Sequence, residues 1–199
     1  MDVQGYPQSI ILEGKNITTL DQFVIRFAEI LSHCSDYVIV SGYVSIIFGR
    51  SRGTEDIDIL IPWMEKETFA LLFSRLEKEG YYFLNPEDRS GLYEMLVGRM
   101  GIRAARKETI IPNIEIKFAK DDYDRYALDH RTAVEFSGNR LFISPLELQI
   151  AYKLHLGSDK DIEDAVYLWD IFKENLDAPL LRKFMQSLRV RGDDVGIIV

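Results

Sequence analysis

Two aspartates separated by one residue, Asp56 and Asp58, are the first side chains in this sequence whose spacing suggests chemistry. They lie in the stretch 54–60, Thr-Glu-Asp-Ile-Asp-Ile-Leu, whose alternation of carboxylate and apolar residues predicts a β-strand. Alternate side chains share one face of a strand, so the two carboxylates lie together, with Cα atoms about 6.6 Å apart. That spacing allows both to bind one divalent cation. A solvated strand end without a ligand is the alternative interpretation.

The second aspartate lies in an otherwise apolar run. Residues 57–61 read Ile-Asp-Ile-Leu-Ile, the composition of a core strand, in which an unpaired carboxylate costs free energy. A bound cation would remove that cost. Upstream, residues 38–40 predict another buried strand, which turns at Ser41-Gly42 into a short helix. The sequence therefore predicts a strand, a small-residue turn, a helix and a carboxylate-bearing strand in succession.

This succession resembles the signature of the nucleotidyltransferase superfamily, the DNA polymerase beta-like proteins. The family signature is Gly-Gly or Gly-Ser, a spacer, then Asp-x-Asp, and here Ser41-Gly42 stands in reversed order. Arg52 and Thr54 match an Arg-x-Thr-x-Asp-x-Asp pattern that such proteins often carry. The resemblance is closest to minimal and abortive-infection toxin-type members. It implies that Ser41, Gly42, Arg52 and Thr54 contact the nucleotide.

The same resemblance implies a third metal-binding carboxylate on a later strand. Residues 114–118, Ile-Glu-Ile-Lys-Phe, predict a strand with Glu115 and Lys117 on one face. Glu115 is therefore the expected third carboxylate, and Asp121 and Asp122 are the next to test. An exposed Glu–Lys strand face without a role is the alternative.

A second motif of the toxin-type members is a lysine on one helix followed by Lys/Arg-Asp-x-x-Asp at the start of the next. Lys153 lies in the largely apolar stretch 148–156, and Asp161 and Asp164 follow at helical spacing. The resemblance implies that the lysine contacts the nucleotide phosphates and that the acidic pair orients it. We expect Lys153 to point into the cleft, with Asp161 or Asp164 as its partner. A snorkelling lysine and an ordinary acidic helix start are the alternatives.

Hydrophobic periodicity predicts the other elements. Strands are expected at 9–12, 81–84, 132–136 and 140–143, and helices at about 20–33, 65–79, 144–156, 158 onward and 178–190. Thr19 and Ser144 are the expected N-caps of two of these helices, the second with Pro145 at its first position. Residues 85–112, with several basic side chains, predict a mobile surface loop or an irregular hairpin.

These elements predict an α/β (α+β) fold, a mixed sheet flanked by helices. Residues 1–143 are expected to form the nucleotidyltransferase-like domain and residues 144–199 a helical subdomain that closes the cleft. The 199 residues suit one domain with a modest appendage, and a net charge of −8 argues against indiscriminate binding to nucleic acid. Cys34, the single cysteine, excludes a disulfide framework and is expected to be a buried, inert thiol.

The start of the chain lacks the features of a signal peptide, and no apolar run approaches the ~20 residues of a membrane helix, so a cytoplasmic protein without a membrane partner is expected. The resemblance implies an enzyme that moves a nucleoside monophosphate from an NTP to an acceptor hydroxyl, with two Mg²⁺ ions held by Asp56, Asp58 and Glu115. The acceptor is open between tRNA, protein and a small molecule, and an antitoxin is a candidate partner. The alternative is a degenerate fold that binds nucleotide or a partner without chemistry.

Overall fold

A computed structural model describes residues 3–4 and 9–199, with side chains from residue 9 onward. Within these residues, one mixed sheet is flanked by helices, as predicted. The strands in chain order are β1 (Val3–Gln4), β2 (Ser9–Leu12), β3 (Val38–Val40), β4 (Asp56–Ile61), β5 (Tyr81–Phe83), β6 (Ile102–Arg106), β7 (Asn113–Phe118), β8 (Thr132–Phe136) and β9 (Asn139–Ile143). The helices are α1 (Thr19–Ser32), α2 (Gly42–Ile47), α3 (Lys66–Lys78), α4 (Arg89–Val97), α5 (Asp122–Asp129), α6 (Leu146–Leu156), α7 (Asp159–Phe172) and α8 (Ala178–Leu188).

The strands are ordered β1-β2-β8-β9-β3-β4-β7-β6-β5 across the sheet. The central strands β3 and β4 run antiparallel, and β4 runs parallel to β7. Their apolar side chains form the core, where Ile39, Ile57, Ile59 and Ile116 are completely buried. Because side chains alternate along each strand, burying these isoleucines turns the polar residues of β4 and β7 to the other face.

The C-terminal helices pack on one another and on the short helix that follows β3. Helix α6 lies against α7 and α8, and α7 packs on α2. Phe48 and Phe172 meet edge to face with ring centroids 4.7 Å apart, and the Tyr167 hydroxyl donates a hydrogen bond to the Phe48 carbonyl oxygen at 3.0 Å. The division of the chain at residue 143 remains a prediction. No helix of residues 3–4 and 9–199 is long and apolar enough to cross a membrane.

The prediction of a loop or irregular hairpin at 85–112 was wrong, because that segment contains α4 and β6. The Asp88 side chain caps α4 by accepting a hydrogen bond from the Gly91 amide at 2.9 Å, and Leu92 and Leu96 are buried. Helix α4 has only nine residues and includes a glycine, so its periodicity is weak. Helix α5, capped by Asp121, was not predicted either.

Two helix caps and the cysteine also differ from expectation. Thr18, not Thr19, caps α1, and it forms a reciprocal pair of hydrogen bonds with Asp21. Helix α6 begins at Leu146 after Pro145, without a side-chain cap from Ser144. Each of these errors shifts a helix start by a residue or two and leaves the helix in place. The Cys34 thiol is half-buried, whereas a buried thiol was expected.

Candidate active site

The carboxylates of Asp58 and Glu115 lie side by side because β4 and β7 pair in parallel with these two residues in register. Both side chains are largely shielded, at 18% and 16% exposure. The Lys117 ammonium group bridges them, with Nζ 2.8 Å from Asp58 Oδ1 and 2.6 Å from Glu115 Oε2. Asp58 and the expected third carboxylate, Glu115, therefore lie together, and in this structure the Lys117 ammonium bridges them.

Glu115 also lies directly over the loop before β6. A Cβ atom at Gly101 would lie 2.6 Å from Glu115 Oε1, so only glycine leaves room for the carboxylate there. The Arg103 guanidinium approaches Glu115 at 3.5 Å from the neighbouring strand. The alternatives to Glu115 are placed differently: Asp121 accepts the amides of Tyr123 and Asp124 as a helix cap, and Asp122 is exposed.

Asp56 lies at the start of β4, on the same face as Asp58 and opposite Asn113 in the register. The Thr54 hydroxyl donates to the Asp56 carbonyl oxygen at 2.7 Å, so Thr54 orders the entry to the strand. Burial and the neighbouring Arg50 lower the pKa of Arg52, while Asp161 and Asp56 oppose that shift.

The turn between β3 and α2 is built by Ser41 and Gly42. Ser41 has a φ of 64° and a ψ of −139°, a conformation that L-residues rarely adopt, and the Gln149 side-chain amide donates to its carbonyl oxygen at 2.8 Å. A Cβ atom at Gly42 would lie 3.1 Å from the Arg52 guanidinium. Glycine at position 42 therefore lets Arg52 lie directly on the turn.

Asp164 is completely buried and binds three cations, Arg50, Arg52 and Lys153. Its Oδ2 atom lies 2.7 Å from Lys153 Nζ. We call Arg50, Arg52, Lys153 and Asp164 the buried charge cluster. It joins the segment before β4 to helices α6 and α7, so the two predicted motifs meet in space.

Lys153 is 2% exposed at its side chain and also binds Asp161 Oδ1 at 2.7 Å. The prediction that Lys153 pairs with Asp161 or Asp164 is confirmed, since it pairs with both. Burial, with Arg52 and Arg50, lowers the pKa of Lys153, whereas hydrogen bonds from Lys153 and Ser158 overcome burial and lower the pKa of Asp161. Both pKa values are lowered, which favours the neutral form of Lys153 but the ionised form of Asp161. The two short carboxylate contacts of Lys153 favour its charged form.

A cavity of about 290 Å³ is lined by Asp58 and by residues of helix α6. Asp58, Ser41 and Lys153 share its lining, so the Asp-x-Asp strand, the small-residue turn and the lysine helix open onto one space. The wall away from the carboxylates includes Tyr123 and Tyr152, whose rings meet at 6.4 Å. A charged region beside an aromatic one suits a ligand with a phosphate end and an apolar end.

The oxygen donors of this site suit Mg²⁺, a hard cation that prefers carboxylates and phosphates. Asp58 and Glu115 already bind one cation together, the ammonium of Lys117. Across residues 3–4 and 9–199, no three His, Cys, Asp or Glu side chains gather in a group that could hold a metal. The oxygen atoms of Asp58 and Glu115 match the chemistry of a divalent cation, and these two carboxylates would be its protein ligands.

Three contributors to the site were missed by sequence reasoning. Arg50 lies two residues before Arg52 and was given no role, although it binds Asp164. Lys117 was placed on the face of Glu115, and this alternation was the signal that could have identified it. Gln149 belongs to neither motif, and it reaches the Ser41 carbonyl oxygen only because helix α6 packs beside the turn.

No family model matches the sequence, and no curated protein matches it. Solved structures do match. An antigenic nucleotidyltransferase-like protein from Paracoccidioides brasiliensis is 19% identical, with 84% of this chain and 85% of that chain covered and a TM-score of 0.52. ANT(2'')-Ia in complex with adenylyl-2''-tobramycin is 16% identical, with 86% of this chain and 98% of that chain covered and a TM-score of 0.54. The chain therefore has a nucleotidyltransferase-like fold, and the fold prediction is confirmed. MenT4, a nucleotidyltransferase toxin from Mycobacterium tuberculosis H37Rv, is 19% identical over 89% of this chain and 65% of its own, with a TM-score of 0.48.

Proposed function

We propose that this protein transfers a nucleoside monophosphate from an NTP to an acceptor hydroxyl. The observation that carries the proposal is the cavity in which Asp58, Ser41 and Lys153 converge, on a fold shared with nucleotidyltransferases. The Asp58 carboxylate and the buried Lys153 both line that cavity. Such an arrangement can place a triphosphate between groups that act on its α-phosphate and groups that neutralise its charge.

Asp56, Asp58 and Glu115 would hold two Mg²⁺ ions. When bound, Mg²⁺ makes the acceptor hydroxyl more acidic and neutralises charge on the pyrophosphate. Glu115 would accept the proton of the acceptor hydroxyl as the oxygen attacks the α-phosphorus and pyrophosphate leaves. Lys153 and Arg52 would bind the phosphates, and Asp161 and Asp164 would hold these two cations in place between turnovers. 

Ser41, Gly42 and Thr54 would have a supporting part in nucleotide binding. The turn at Ser41-Gly42 carries the Arg52 guanidinium on its surface, and Thr54 orders the start of the carboxylate strand. Backbone amides at such a turn are suited to phosphate. We propose that these three residues shape the phosphate side of the site.

For the acceptor, we propose only the chemical class, a molecule with a free hydroxyl group. The structure of ANT(2'')-Ia contains adenylyl-2''-tobramycin, an adenylylated small molecule, which supports a small-molecule hydroxyl. A tRNA or protein hydroxyl fits the same chemistry, and an antitoxin partner follows only if the protein is a toxin. A screen of four labelled NTPs with Mg²⁺, against tRNA, total protein, aminoglycosides and the protein itself, tests all of these acceptors.

The double variant Asp56→Asn/Asp58→Asn should abolish transfer to every acceptor that the wild type labels. Asp122→Asn is the matched control, because Asp122 is an exposed carboxylate whose ion pair is with Arg125 on its own helix. Transfer by the double variant at the wild-type rate would disprove the proposed site. The control variant should retain full activity.

A nucleotide-binding module without chemistry is the second candidate, and one observation favours it. All three cations of the buried charge cluster are already bound to Asp164, and Lys117 already bridges Asp58 and Glu115. A protein that binds NTP tightly yet labels no acceptor in the screen would support this second function. Label on any acceptor, lost in the aspartate double variant, would exclude it.

A further inference from the structure

Lys117 is the cation that occupies the carboxylate pair in this structure. Its ammonium lies 2.8 Å from Asp58 and 2.6 Å from Glu115, and it reaches both because it is on β7, two residues beyond Glu115 on the same strand face. Two carboxylates in register on adjacent strands repel each other unless a cation lies between them. Lys117 therefore supplies one positive charge at the place where a divalent ion would supply two.

The same side chain is free to leave. Lys117 is partly exposed, on a flexible stem, and it lines the cavity that Lys153 also lines. Lys153, in contrast, is buried and bound by two carboxylates of α7. Among the cations that line the cavity in the described residues, Lys117 is thus the one whose ammonium contacts Asp58 and would have to give way to a metal ion there.

We propose that Lys117 competes with the divalent cation for Asp58 and Glu115, and thereby sets the metal affinity of the site. This inference rests on the proposed function, which assigns a metal to these carboxylates. A phosphate-bearing ligand in the cavity would give Lys117 a new partner, so metal and nucleotide would bind cooperatively. In the absence of nucleotide, Lys117 would keep metal binding weak and the carboxylates paired.

The test measures binding of Mn²⁺ alone, without nucleotide, from the electron paramagnetic resonance signal of the free ion. Lys117→Met should bind Mn²⁺ at least about 10-fold more tightly than the wild type, because two charged hydrogen bonds no longer oppose it. Lys120→Met is the matched control, since Lys120 lines the same cavity and lies near Asp124 rather than the carboxylate pair. Lys117→Arg keeps the positive charge and should bind Mn²⁺ as weakly as the wild type does.

A second readout follows thermal unfolding in EDTA and in Mn²⁺. Removing Lys117 takes the cation from Asp58 and leaves Glu115 with the more distant Arg103, so Lys117→Met should melt below the wild type in EDTA and gain more than the wild type from Mn²⁺. Equal Mn²⁺ affinity in Lys117→Met and the wild type, or equal tightening in Lys117→Met and Lys120→Met, would overturn the competition. Asp56→Asn/Asp58→Asn separates the two proposals: if it abolishes Mn²⁺ binding while Lys117→Met changes nothing, the metal site stands and the competition fails. If no variant and no wild type binds Mn²⁺, both fail.

Discussion

Replacing Asp164 by Asn should be among the most destabilising single changes in this protein. The Asp164 carboxylate is completely buried and is the common partner of Arg50, Arg52 and Lys153. Asparagine keeps the volume but removes the charge, so Arg52 loses its carboxylate partner, while Arg50 keeps only Glu163 and Lys153 keeps only Asp161. Removing one partner of a buried ion pair costs about 3–5 kcal/mol, because the remaining charge stays buried without compensation.

The neighbouring residue provides the matched control. Glu163 binds the same arginine, with Oε2 2.5 Å from Arg50 Nη2, but its side chain is 65% exposed. An exposed ion pair contributes about 0–1 kcal/mol, so Glu163→Gln should change stability little. The two variants remove a carboxylate from consecutive positions of one helix and differ mainly in burial. The difference between them therefore isolates the contribution of the buried charge cluster.

Urea unfolding followed by far-ultraviolet circular dichroism measures both variants. With a loss of about 4 kcal/mol and a slope of about 2 kcal/mol per molar, the midpoint of Asp164→Asn should fall by about 2 M urea. Glu163→Gln should shift the midpoint by a quarter of that or less. If both variants unfold at the same urea concentration, Asp164 does not hold the cluster together in solution.

Three further changes test the site itself. Lys153→Met should weaken binding of a nonhydrolysable NTP by about 1.5–3 kcal/mol, the range for a charged hydrogen bond, and leave the bare nucleoside unaffected in calorimetry. Glu115→Gln should lower turnover by ~10²-fold with nearly unchanged NTP affinity, because a proton acceptor acts on the transition state. Gly42→Ala should weaken NTP binding by about 1 kcal/mol, since the new Cβ would displace the Arg52 guanidinium.

Each change has a matched control. Lys160→Met removes an exposed lysine from the helix that faces Lys153 and should leave NTP affinity intact. Glu135→Gln removes a strand glutamate that pairs with Arg140 far from β4 in the sheet, so turnover should persist. Gly53→Ala adds a Cβ atom with no heavy atom within 4 Å. Any control that behaves like its partner variant would refute the corresponding assignment.

Two features that depend on short stretches of sequence were predicted correctly. The alternation in β4 predicted that Asp56 and Asp58 share a face, and burial of Ile57 and Ile59 confirms it. Ser158 was predicted to start α7, and its hydroxyl accepts the Asp161 amide. Each of these features depends on residues only a few positions apart, so a pattern in one stretch is sufficient to predict it.

The contacts that assemble the site depend on residues far apart in the chain. Lys117 meets Asp58 only because β7 pairs with β4, and the sequence places these residues 59 positions apart. Arg50 and Asp164 are 114 positions apart, and their contact requires α7 to pack on α2. A single sequence carries no direct signal for such contacts. The motifs could therefore be found, while the ion pairs between them could not.

The residues of the site lie far apart along the chain, and this affects how the protein folds during its synthesis. Synthesis proceeds from the N-terminus, and a domain of this kind acquires its long-range contacts late. Asp58 gains its cross-strand partner Glu115 only when β7 has been synthesised, and Arg50 has no buried partner until α7 has followed. A growing chain that stops short of Asp164 contains the turn and the Asp-x-Asp strand but cannot complete the cleft. The cavity that Asp58 and Lys153 line together thus forms only when almost the whole chain has folded.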